Sequence, residues 1–125
     1  MFSGLVSLTE LNLDKNLIDH IEYSSFEDLI SLRHLLLSGN LINAVERNMF
    51  YTLAYLSRID LSSNNIEFTD SKVFSYLTNI KEILLNANKI QFVSNNEFNY
   101  IQTLTNLDLR NNHLAYITPE FFCVV

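Results

Sequence analysis

Leu104-Thr105-Asn106-Leu107-Asp108-Leu109-Arg110-Asn111-Asn112 is the last of five copies of one nine-residue pattern, an aliphatic residue at its first, fourth and sixth places and asparagine at its ninth. The asparagines that close the copies, Asn16, Asn40, Asn64, Asn88 and Asn112, stand 24 residues apart without a slip. Laid in rows of 24, the chain shows further columns. Leu8, Leu32, Leu56, Ile80 and Leu104 open the rows; Leu11, Leu35, Ile59, Ile83 and Leu107 follow, then Leu13, Leu37, Leu61, Leu85 and Leu109. After the asparagines come Ile18, Ile42, Ile66, Ile90 and Leu114, then Ile21, Val45, Thr69, Val93 and Ile117. Phe26, Phe50, Phe74, Phe98 and Phe122, with Leu29, Leu53, Leu77, Ile101 and Val125, complete the rows. Thr69 alone departs from type.

Aliphatic residues two apart, such as Leu11 and Leu13, point to one side of a short strand, so each row carries a strand with one buried face. The wider-spaced apolar residues bring the chain back around the opposite side, and each turn encloses an aliphatic layer that stacks on the next. A single turn cannot bury that layer, and roughly three or more are needed for stability. An inward polar residue left unsatisfied would cost about 1 to 3 kcal/mol, so the asparagines are expected to form a structural ladder tying down backbone groups. The phenylalanines are expected to form a spine of the core, not a cofactor box.

The length suits one domain, and the register predicts a single array. A partial repeat at 1–7, where Phe2 and Leu5 fall in the spine columns, precedes five repeats at 8–31, 32–55, 56–79, 80–103 and 104–125. Stacked arrays need polar terminal units; none is evident, so a slice of a longer array is expected. The single cysteine, Cys123, can form no internal disulfide and reads as a small apolar residue beside the spine. A net charge of -6 without a basic stretch argues against nucleic acid as a partner. No apolar run reaches the length of a membrane span, and the first residues lack a signal-peptide pattern, so no membrane contact is expected of this segment itself. No Asn-X-Ser/Thr sequon occurs.

With these columns in place, the chain resembles the typical 24-residue class of leucine-rich repeats along its whole length. The segment from Leu104 to Phe122 looks like the ectodomains of Toll-like receptors, Slit-type guidance proteins, relaxin-type hormone receptors and chaoptin-like adhesion proteins. The resemblance implies an α/β solenoid: a right-handed horseshoe with a short-stranded parallel sheet on its concave side and irregular or short helical turns on its convex side. It also implies recognition of a protein or other macromolecular ligand at the cell surface or outside the cell. An intracellular scaffold or adaptor with the same repeat is the alternative reading, and a partial gene product with no independent role is a third. The cysteine caps common in secreted members are missing here.

Residues flanked by the strand leucines point out of the concave face and form the candidate binding surface. The first outward column is Glu10, His34, Arg58, Glu82 and Asn106, and the second is Asn12, Leu36, Asp60, Leu84 and Asp108. Arg110 stands at a strand exit with Asp14, Ser38, Ser62 and Asn86. Leu36 and Leu84 gain nothing from the core there and are candidate anchors, although isolated exposed leucines are ordinary. The charges mix signs, and pairing of Arg58 with Glu82 would account for much of them without a ligand. Phe68, Phe92 and Tyr116 recur in one variable column; a packed lateral layer is expected, with a lateral homodimer or partner surface as the other reading. Catalysis is not expected, and neither is a cofactor or a metal. His34, Asp60 and Ser62 bring triad residue types onto neighbouring strands, but on a diagonal about 7 to 8 Å long with no oxyanion donor in view.

Overall fold

The two-residue spacing of the strand leucines builds five short strands in the computed structural model, which describes residues 1–94, 97–98 and 100–116. Glu10–Asn12 (β1) and His34–Leu36 (β2) are followed by a two-residue strand, Ala44–Val45 (β3), and by Arg58–Asp60 (β4). Phe68–Thr69 (β5), Glu82–Leu84 (β6) and Asn106–Asp108 (β7) complete the order. One sheet runs β1-β2-β4-β6-β7, parallel throughout, and each residue pairs with the one 24 places on: Leu11 with Leu35, Leu35 with Ile59, Ile59 with Ile83, Ile83 with Leu107. A second, two-stranded parallel sheet joins β3 to β5, with Ala44 opposite Phe68 and Val45 opposite Thr69. Ile117, Phe122, Cys123 and Val125 lie outside the described residues.

The fold is a parallel β-solenoid. The α part of the expected α/β class is corrected, because no helix occurs among the described residues. The reason lies in the spacing of the inward residues on the convex side. Phe26, Leu29 and Leu32 are three apart, as are Phe50, Leu53 and Leu56, and Phe74, Leu77 and Ile80. Three-residue steps suit i→i+3 turns, not a helix of 3.6 residues per turn. Leu29 and Leu32 amides donate to the Phe26 and Leu29 carbonyls at 3.0 and 3.1 Å, and the bonds recur at Leu53, Leu56, Leu77, Ile80 and Ile101. Leu5 and Leu8 repeat the step from Phe2.

Burial follows the columns. Leu35, Leu37, Ile59, Leu61, Phe50, Phe74 and Ile83 are wholly buried, whereas Leu11, Leu13, Leu107 and Leu109 are only partly so. The outer strands β1 and β7 have a paired strand on one side only. The Phe rings stack from Phe2 through Phe26, Phe50, Phe74 and Phe98 at centroid distances of 6.1, 6.4, 6.4 and 5.6 Å.

The residue before each ladder asparagine has positive φ: Lys15 at 56°, Gly39 at 67°, Ser63 at 53°, Ala87 at 56° and Asn111 at 56°. The chain leaves the strand through a left-handed residue in every turn. Only Gly39 is suited to it without steric cost. Ala87→Gly should therefore raise the unfolding free energy by about 1 kcal/mol, read from urea denaturation; a loss of stability would show that the left-handed turn is not the strained point.

Candidate functional site

The turn beyond each strand is fixed by the ladder. Asn64 donates from Nδ2 to the carbonyls of Leu37 and Leu61 at 3.0 and 3.1 Å, and its Oδ1 accepts the amide of Ile42 at 3.1 Å. Asn40, Asn88 and Asn112 repeat the arrangement, each reaching the carbonyl 27 residues before it and the amide 22 before it. Asn16 is exposed, and among the described residues it bonds within its own turn, to Leu13 and Asp14. These bonds hold the strands in register and so aim the alternate side chains at the outer face of the five-stranded sheet, the surface expected to be concave.

On that surface the first outward column is largely self-paired. His34 Nδ1 lies 3.3 Å from Glu10, Arg58 is 3.0 Å from Glu82 and 3.6 Å from Asp60, and Asn106 donates to Glu82 at 2.9 Å. At the last strand Arg110 contacts Asp108 at 2.6 Å. The guanidinium of Arg110 holds the Asp108 carboxyl below its ordinary value, and Asp108 in turn raises Arg110. These pairs are solvent-facing and contribute little stability each. The second column reads Asn12, Leu36, Asp60, Leu84 and Asp108 across directly paired residues. Asn12 is exposed, and its Oδ1 accepts the Asp14 amide at 3.0 Å. Leu36 and Leu84 are half-buried on either side of Asp60, whose Oδ1 accepts the Ser62 hydroxyl at 2.6 Å and the Ser62 amide at 3.0 Å.

His34, Asp60 and Ser62 are thus not brought together as a triad: the histidine turns to Glu10 and the other two bond each other. No cluster of three potential metal ligands occurs among the described residues. No helix among them is long and apolar enough to cross a membrane.

Two features escaped the sequence reading. Phe68, Phe92 and Tyr116 do not form a packed lateral layer, being 56%, 53% and 63% exposed, and only Phe92 and Tyr116 approach each other, tilted at 6.1 Å. Alternation explains it, because in β5 the neighbouring Thr69 takes the inward place and Phe68 the outward one. The second feature is Glu97, buried beside Thr69, whose hydroxyl donates to its carboxylate; the Ser94 amide donates to it as well. Burial pushes the carboxyl up to about 7 against the pull of those hydrogen bonds, with the charge of Asp70 adding to the rise. The signal was present: Glu97 occupies the column of Met49 and Val73, and Thr69 is the misfit of its own column.

Solved structures share this architecture. Toll of Drosophila, determined in complex with Spatzle, superposes with a TM-score of 0.90 at 25% identity over 98% of this chain and 18% of that one. TLR13, determined with the RNA ssRNA13, gives 0.93 at 29% identity over 99% of this chain and 18% of that one. The leucine-rich repeat domain of APL1B gives 0.85 at 20% identity, covering 89% of this chain and 34% of that one, a likeness of fold alone. The chain therefore spans less than a fifth of Toll and of TLR13. No curated protein matches in sequence. The model of the BspA type leucine rich repeat region matches residues 1–124 in 6 copies, and the chain belongs to that family.

Proposed function

We propose that this segment is a macromolecule-binding module that recognises a protein ligand on its concave sheet, as part of a cell-surface or secreted receptor. The observation that carries the reading is the row Leu36–Asp60–Leu84. Two half-buried leucines flank a carboxylate already held by Ser62, on a face whose other charges are satisfied among themselves. Such a row offers two apolar contacts beside a carboxylate whose partners, Ser62 and Arg58, are already in place. Glu10, Asn12, His34, Arg58, Glu82, Asn106, Asp108 and Arg110 form its polar rim.

Toll and TLR13, complexed with Spatzle and with RNA, support macromolecular recognition. For this chain the net charge of -6 favours a protein over RNA, whose phosphates need cationic partners. The array divides at 8–31, 32–55, 56–79, 80–103 and 104–125, a division supported by the 24-residue register of the sheet.

A panel of purified secreted and cell-surface proteins, measured by biolayer interferometry against this chain, tests the proposal. Leu36→Asp with Leu84→Asp should weaken a specific binder by about 30-fold or more with an unchanged circular dichroism spectrum. A binder indifferent to both substitutions would place recognition elsewhere.

A further inference from the structure

We propose a second binding surface, on the lateral flank: a docking strip for a basic segment of a protein partner, whose Lys or Arg side chains seat in two acid-rimmed recesses, one between Phe68 and Phe92 and one beside Tyr23. It is independent of the concave sheet, so either surface can fail without the other.

Between the third and fourth repeats an open recess of about 440 Å³ has Phe68 and Phe92 in its walls, with Glu67 and Asp70 at the same site. A smaller recess of about 180 Å³ occupies the same columns between the first and second repeats, with Tyr23, Glu22 and Glu46 in its lining. Both rings of the larger recess are more than half exposed. Alternation along β5 puts Phe68 outward, so its ring leaves more than half of its surface in solvent for a partner to cover.

Charge selects the occupant. Four carboxylates line the two recesses (Glu22, Glu46, Glu67, Asp70) against one cation, Arg47, which is spent on Asp70 at 3.3 Å. Glu22, Glu46 and Glu67 have no ion-pair partner among the described residues. A second copy of this acidic flank would be repelled, and an anionic ligand more so. A cationic side chain instead finds its two complements together: an aromatic face for the stem and charge, and an unpaired carboxylate for the head. The recesses are two turns apart, about 10 Å at the spacing of paired strands. A polyproline II segment places every third side chain on one side at about 9.3 Å intervals, so basic residues three apart would enter both.

The probe is a labelled (Arg-Pro-Pro)3 peptide, with (Glu-Pro-Pro)3 and (Ser-Pro-Pro)3 as controls, measured by fluorescence anisotropy on the whole chain. Binding of the arginine peptide alone is expected. Phe68→Ser with Phe92→Ser, which alters no charge and no buried residue, should weaken it by about tenfold, and Glu67→Gln with Glu46→Gln should weaken it similarly. Glu27→Gln with Asp28→Asn, which removes two carboxylates outside the recesses and their columns, should change it by less than about twofold. The proposal is overturned if the arginine peptide does not bind, if the Phe variant binds as well as the parent, or if the control pair matters as much as the recess pair. Self-association in sedimentation that is lost with Phe68→Ser would name a second copy as the occupant and overturn it too.

Discussion

Phe74→Ala is expected to lower the unfolding free energy by about 3 to 5 kcal/mol, more than any other single substitution in the spine. Its ring is wholly buried and lies between Phe50 at 6.4 Å and Phe98 at 5.6 Å, so truncation removes the contacts of two neighbours along with its own burial. Phe2, at the end of the stack with one described neighbour at 6.1 Å and incomplete burial, should lose much less when truncated. The contrast matters because in a stacked array each turn is stabilised by its own packing and by its interfaces with adjacent turns. A cavity at Phe74 weakens two interfaces at once and should loosen the coupling between the two halves of the array. Urea denaturation should then show a lower midpoint and a shallower slope, the slope reflecting the surface exposed in one cooperative step. Equal losses at Phe2 and Phe74 would contradict a stack whose strength comes from both faces of each ring.

The columns made the solenoid legible because each reports a position that 24-residue periodicity cannot leave by chance. Strand, ladder and spine residues occupy sites where one residue type satisfies one geometric demand, and the parallel pairing of Leu11, Leu35, Ile59, Ile83 and Leu107 follows directly. The convex side was harder to read. Three-residue spacing at Phe26, Leu29 and Leu32 distinguishes turns from a helix only when it is compared with 3.6, and short apolar runs do not advertise the difference. The left-handed residues were invisible at Lys15, Ser63 and Ala87, which carry no signature of positive φ, whereas Gly39 and Asn111 are types that adopt it readily.

Variable columns were read less well than repeated ones. The side of the turn occupied by Phe68, Phe92 and Tyr116 follows from alternation with Thr69 and Val93, but whether a neighbouring turn covers them depends on how closely successive turns approach, which the spacing does not contain. On the concave face the outward positions themselves were legible, and so was the pairing of Arg58 with Glu82. The inward turn of Asp60 toward Ser62 was not, because a two-residue offset at a strand exit permits the bond without requiring it.

Glu97 should make this protein less stable at pH 8 than at pH 4.5 by about 3 kcal/mol, the reverse of the common behaviour of paired carboxylates. Burial raises its folded-state value from 4.5 to about 7, while the unfolded chain keeps an ordinary glutamate. The folded state therefore binds the proton more tightly. Its contribution to stability is fully present below about 4.5, declines as pH rises toward 7, and is gone above that. Asp108 acts in the opposite sense, its folded value being lowered by Arg110, so the total pH profile mixes both signs. The difference between parent and Glu97→Gln isolates the buried group: the amide cannot ionise and can still accept from Thr69, so its profile should lack the fall between pH 4.5 and 7. Thr69→Val alone removes a donor that holds the carboxyl down, so the fall should become larger and extend to higher pH. Thr69→Val with Glu97→Met restores the apolar type of both columns, as at Val45 and Met49. It should exceed the parent in stability at pH 8, and by more than the single changes sum to, since the two side chains share one buried site. Urea midpoints for these four proteins and for Glu97→Met alone, at pH 4.5, 6 and 8, decide the matter, and parallel profiles for parent and Glu97→Gln would mean that Glu97 takes up no proton on folding.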